Sequence, residues 1–163
     1  MLKAVRALGL AGVIVAFCAA CHVTVPPPPA PRTATPIAAS FGKTWDALIS
    51  VLADRKILIQ TLSRSSGLII ADAQPIAGKT DSIADCGTTA LGTNYRANAA
   101  SWNVSVRGDS TQSTIRATVR FVAGDPTRTL NTAAVECSSR DTWEIALERG
   151  VKSAAETKVA ARQ

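Results

Sequence analysis

Three residues near the amino terminus have the types and spacing for chemistry: Cys18, Cys21 and the single histidine, His22. Cys-x-x-Cys-His is the string to which a c-type haem attaches. Two thiols and an imidazole are also metal ligands, and a cysteine at the end of an apolar run is a site where a chain is cut and tethered. Elsewhere the chemistry is thinly spread. With one histidine in the chain, no Ser-His-Asp or Cys-His set assembles in its body, and no cluster has metal-ligand spacing. Gly87 and Gly92 lack the lysine and the GxGxxG pattern of a phosphate loop. Asp81 and Asp85 lie in a polar stretch and read as solvated. Two carboxylates alone suffice for a glycosidase, so an enzyme stands as the third reading behind two kinds of binding module.

The surroundings of Cys18, Cys21 and His22 choose among these chemistries. Lys3 and Arg6 precede an apolar run, Leu8 to Ala20, of 13 residues. A transmembrane helix needs about 20, so the run has the length of a signal-peptide core, giving a leader over 1–20. Cys18-Ala19-Ala20-Cys21 resembles the lipobox of bacterial lipoproteins, with Cys18 at the position usually held by leucine. The resemblance implies that the Cys21 thiol takes diacylglycerol, that the chain is cut before it, and that the new amine is acylated, palmitate being a typical chain. His22, rather than Asp, follows the cysteine, which implies the outer membrane. Cleavage removes Cys18 and breaks the haem string, so neither metal nor cofactor is expected.

Residues 21–39 follow as a tether. Six of the eight prolines (Pro26, Pro27, Pro28, Pro29, Pro31 and Pro36) fall there. Proline fixes φ and lacks a donor, so an extended spacer without helix or strand ladder is expected. At ~3.1 Å per residue it holds a domain up to roughly 50 Å from the bilayer. A docking strand for an aromatic groove is the sharper alternative.

With Cys18 cleaved and Cys21 lipidated, Cys86 and Cys137 remain. An exported chain meets an oxidising compartment, so a structural disulfide between them is expected. A redox pair is the alternative, without the CxxC spacing.

The body of the chain, 40–163, reads as one α+β domain. Hydrophobic residues make up 47% of the sequence, enough for a core. The net charge of +6 falls to +4 without Lys3 and Arg6. That scattered excess does not argue for nucleic acid. Ser40 caps a helix whose stripe is Phe41, Trp45, Leu48, Ile49 and Leu52. Ile57–Leu62 and Leu68–Asp72 flank a turn and read as a hairpin. A polar stretch from Gln74 to Ala100 reads as loop, with a short strand near Tyr95. Trp102, Val104 and Val106 alternate with Asn103, Ser105 and Arg107. Ile115, Ala117, Val119 and Phe121 alternate with Arg116, Thr118 and Arg120. Arg107 opposite Gln112 puts Trp102 opposite Ala117 and Val104 opposite Ile115. A short strand follows near Ala133 to Cys137. Asp141 to Glu144 has capping-box spacing, and Trp143, Leu147, Val151 and Ala154 continue a last helix. The expected fold is an antiparallel sheet with one face covered by an N-terminal and a C-terminal helix.

The same alternation sends Asn103, Arg107, Arg116 and Arg120 to the outer sheet face. Three guanidiniums and an amide there suit a carboxylate, phosphate or glycan; a solvated, charge-protected face is the plainer reading.

The stretch FGKTWDALISVLADRKILIQTLSRSSGLIIADA, Phe41 to Ala73, resembles the helix-grip modules of BamC-type envelope lipoproteins of proteobacteria, with an aromatic helix, a strand, and a turn reaching Ser66 to Ile69. Asp85 to Gly87 and Glu136 to Glu144 look like the second half of related uncharacterised proteins. The resemblance implies a periplasm-facing accessory component of outer-membrane protein assembly, non-catalytic and without cofactor. Its expected partners are the membrane, through the lipid, and an envelope protein, not nucleic acid. The alternative is a module binding an anionic ligand or glycan on the arginine-bearing face.

Overall fold

Ser40 opens the first helix through its side chain: its Oγ accepts the Lys43 N–H at 3.4 Å, satisfying one of the orphan donors of a helix start. Helix α1 (Phe41–Asp54) buries Thr44, Trp45, Ala47, Leu48 and Leu52. It ends at Lys56, in the left-handed region at φ 56°. The Lys56 N–H returns to the Ala53 carbonyl at 2.9 Å and the Ile57 N–H to that of Leu52 at 3.0 Å, which is the pattern of a Schellman closure. The computed structural model in which this is seen describes residues 31–78, 80–88, 94–124 and 134–160. The leader, Cys18, Cys21, His22 and Pro26 to Pro29 lie outside the described residues.

The strands are β1 (Thr35–Ile37), β2 (Ile59–Ser63), β3 (Leu68–Pro75), β4 (Ala84–Asp85), β5 (Ala97–Gly108), β6 (Ser113–Ala123) and β7 (Val135–Ser139), and helix α2 (Thr142–Ala160) closes the order. They form a seven-stranded antiparallel sheet in the order β2-β3-β5-β6-β7-β4, with β1 also on β6. Trp102, Val104, Val106, Ile115, Ala117, Val119 and Phe121 are buried on one face. Both helices pack on that face, so the fold is α+β as the alternation predicts. Trp102 lies flat against Trp143 at 5.8 Å, and Phe121 meets Trp143 at 5.4 Å. Cys86, just after β4, is disulfide-bonded to Cys137 in β7 across 51 positions. The bond ties the long segment after β3 to the end of the sheet. Gly67 closes the β2–β3 turn at φ 65°, where a Cβ would lie 2.1 Å from the Val106 carbonyl oxygen, so only glycine fits.

Four expectations need correction. The tether ends earlier than Ala39. Thr35, Pro36 and Ile37 pair with Ile115, Thr114 and Ser113, and Ile37 and Ala39 are buried. Pro36 is tolerated because β1 lies on an edge, where its missing donor faces away from β6; its carbonyl accepts the Lys152 ammonium at 2.9 Å. The β5–β6 register is shifted by two from the expected one: Arg107 faces Thr114, Trp102 faces Val119 and Val104 faces Ala117. The turn decides this. Asp109 donates its main-chain N–H to the Gln112 carbonyl at 2.9 Å, and its Oδ1 accepts from the Thr111 and Gln112 N–H groups. A shift of two preserves the faces, which is why the inside and outside residues remain as expected. The Gln74–Ala100 stretch contains β4, a bridge from Thr88 to Asn94 and the start of β5. Finally, Glu144 does not reach back to cap α2. Its carboxylate turns into the sheet.

Candidate functional site

The gap in the β6 edge explains where Glu144 goes. Strand β1 covers β6 at residues 113–115 and β7 covers it at Phe121 to Ala123. Between them, the N–H groups of Ala117 and Val119 point outward with no strand to receive them. A buried amide without an acceptor is costly. Two glutamates of α2 stand in for the missing strand: Glu148 Oε1 accepts from Ala117 at 2.9 Å and Glu144 Oε1 from Val119 at 3.1 Å. Both residues are 2% exposed.

Each carboxylate is held by further donors. Glu148 Oε2 accepts from the Arg32 guanidinium at 2.9 Å and from the Thr35 hydroxyl at 2.6 Å. Arg32 also lies 3.7 Å from Asp141. Ser139 accepts the Asp141 N–H at 3.1 Å and donates to Glu144 Oε1 at 2.7 Å, so capping of α2 is relayed through a serine. Glu144 Oε2 is buried without a partner. Sequence reasoning missed this pair. The signal was present: Glu144, Leu147, Glu148, Val151 and Ala155 recur at helical spacing, which places two acids on the buried stripe.

The four outer-face residues are where the alternation puts them. Asn103, Arg107, Arg116 and Arg120 are all exposed on the uncovered side. The structure does not leave them equivalent. Arg120 forks onto Glu136, Nε to Oε1 at 3.1 Å and Nη2 to Oε2 at 3.2 Å. The hydrogen bond and charge of Glu136 raise the Arg120 pKa above its ordinary value. Arg107 and Arg116 have no hydrogen-bond or ion-pair partner among the described residues. Arg107 faces Thr114 and Arg116 faces Ser105. The two arginines are therefore diagonal neighbours, about 7–8 Å apart at the backbone, within reach of one anion. A groove of about 670 Å³ runs along this part of β6, with Arg116 and Arg120 on one side and Glu136, Asp141 and Glu144 among its other walls.

Strand β2 ends the sheet on the opposite side, with one edge unpaired among the described residues. Leu58 and Leu62 are 69% and 51% exposed, and Ile59 is also open to solvent. Asp85 is engaged by Arg140 at 3.1 Å, and its other oxygen accepts the Gly87 N–H at 3.0 Å. Among the described residues no group of three or more His, Cys, Asp or Glu is placed to hold a metal ion. None of their helices is long and apolar enough to cross a membrane.

No protein-family model matches this chain, and no curated protein matches it at a significant level.

Proposed function

We propose that the protein is a non-catalytic, lipid-anchored module of the cell envelope, held at the outer membrane through Cys21 and facing the periplasm, where it docks a partner protein. The BamC-type resemblance belongs to this reading and makes envelope assembly its setting. The observation that carries it is the placement of two edges. The tether enters at β1, on the β6 side of the sheet. The unpaired edge of β2 lies four strand spacings away, about 19 Å at the usual ~4.8 Å separation. Between Ile57 and Ser63 that edge bears no charge, and Leu58, Ile59 and Leu62 are exposed beside its free backbone groups. Such an edge accepts an added strand, with main-chain bonds supplying affinity and the apolar side chains supplying fit. The Cys86–Cys137 bond suits an oxidising compartment.

The test is photo-crosslinking in intact cells from an unnatural residue at Leu62, with the same residue at Ser110 as control. A discrete adduct from Leu62 and none from Ser110 is expected. No adduct, or the same adducts from both positions, overturns the reading.

A second reading has its own observation. Arg107 and Arg116 are exposed, adjacent and without partners among the described residues, which suits an anionic ligand or glycan on the open face.

A further inference from the structure

A cavity of about 220 Å³ lies between the helices and the sheet. Trp102 and Trp143, stacked at 5.8 Å with planes 2° apart, form one wall. Ile57 and Ile76 supply more apolar surface, and Arg55 and Gln74 are its polar members.

Of the two polar members, Gln74 carries a buried donor without an acceptor among the described residues, and Arg55 is exposed to solvent. Strand β3 is irregular between Ala71 and Gln74, where its register with β5 shifts. Bulges of this kind re-aim a side chain and concentrate beside functional sites. This one places Gln74 on the cavity, and its amide nitrogen is buried without a hydrogen-bond partner. A desolvated donor left unpaired is unfavourable until an acceptor arrives. Arg55 follows α1 and donates through Nη2 to the Ala146 carbonyl of α2 at 2.7 Å. That bond fixes the guanidinium between the two helices, while its other donors have no partner among the described residues. Among the described residues no Asp or Glu lines the cavity.

We propose that this cavity binds a small apolar carboxylate, its carboxyl group on Arg55 and Gln74 and its apolar body against Trp102 and Trp143. Charge complementarity selects the anion: the solvent-exposed guanidinium and the buried amide N–H both offer donors to its oxygens, and no acid among the described wall residues competes for them. The volume limits the body. Sites for drug-sized ligands span roughly 300–1,000 Å³, so this smaller one suits a single ring or a short aliphatic chain. The site uses none of Leu58, Ile59, Leu62 or the four outer-face residues, although Trp102 also lines the groove along β6.

The experiment uses the full chain in neutral detergent micelles, titrated with sodium phenylacetate and followed by the indole N–H signals in NMR. Trp102 and Trp143 report the cavity, while Trp45, packed on Phe41, is the internal reference. The expected result is a saturable shift of Trp102 and Trp143 with Trp45 unmoved. The uncharged isostere phenylacetamide should bind about tenfold more weakly, and Arg55→Gln and Gln74→Leu should each weaken phenylacetate about tenfold, the scale of one lost charge-assisted hydrogen bond. No saturable shift, equal shifts of all three indoles, or equal affinity for phenylacetate and phenylacetamide overturns the proposal. The isostere comparison needs no variant, so the outcome stands even where a substitution impairs folding.

Discussion

The carboxylate of Glu148 accepts the main-chain N–H of Ala117 at 2.9 Å, so a helix side chain completes a hydrogen bond that a strand would otherwise make. The same carboxylate holds Arg32 and Thr35. One residue therefore joins the last helix, the central strand and the segment that follows the tether. Replacing it removes the acceptor from three donors at once. Glu148→Ala should cost about 3 kcal/mol, the lower end for breaking a buried ion pair, because Arg32 retains access to water. Urea unfolding checks this. A loss below about 1 kcal/mol means that the gap in β6 is solvated by other means.

Removing the disulfide acts on a different part of the sheet. Cys86→Ser should lower stability by about 2–5 kcal/mol, typical for a native bridge. The denaturation midpoint measures the loss. Free thiols at both positions in the exported wild type, detected by alkylation and mass spectrometry, sink the argument.

The arginine face is expected to be structurally silent. Arg107, Arg116 and Arg120 replaced together by Gln should change stability little, since exposed substitutions usually stay within about ±0.5 kcal/mol each. The Arg120–Glu136 pair is exposed on both sides and does not alter that expectation. Trp102→Ala on the buried face is the contrast, at roughly 3–5 kcal/mol. A folded triple variant that no longer recovers its ligand places the functional site on the open sheet, and rising salt should then mimic the loss.

Asp109 gives the turn between β5 and β6 a pH dependence of known sign. The N–H groups of Gln112 and Thr111, and then the Thr111 hydroxyl, lower its pKa below the ordinary aspartate value. The folded pKa thus lies beneath the unfolded one. The turn's contribution is fully present above the usual aspartate range and is lost as pH falls through the lowered folded value. An NMR titration of the Asp109 carboxyl should show a midpoint below about 3.9, abolished in Asp109→Asn. A midpoint at or above that value contradicts the assignment.

In the proposed reading, anchoring rests on the Cys21 thiol. Cys21→Ala should abolish lipid attachment and leave uncleaved precursor or soluble protein. Labelled palmitate entering the variant at the wild-type level removes the lipobox assignment.

Periodicity alone determined much of this protein. The Phe41–Leu52 stripe, the alternation of Trp102–Arg107 and Ile115–Phe121, and the two cysteines within 40–163 specified the first helix, the inner and outer faces and the disulfide. Each is a local property or a count, and the strand faces survive a register error of two because the strand period is two. Tertiary structure decided what local pattern leaves open. Only the gap in β6 explains why Glu144 and Glu148 enter the core: their acceptor oxygens meet amides 25 and 31 positions away. Only pairing with Ile115 turns the proline-bearing Thr35–Ile37 into a strand, since an edge tolerates the missing donor. The inequality of the arginines has the same origin. Whether a guanidinium finds a carboxylate depends on the neighbouring strand, and β7 brings Glu136 to Arg120 but to neither Arg107 nor Arg116.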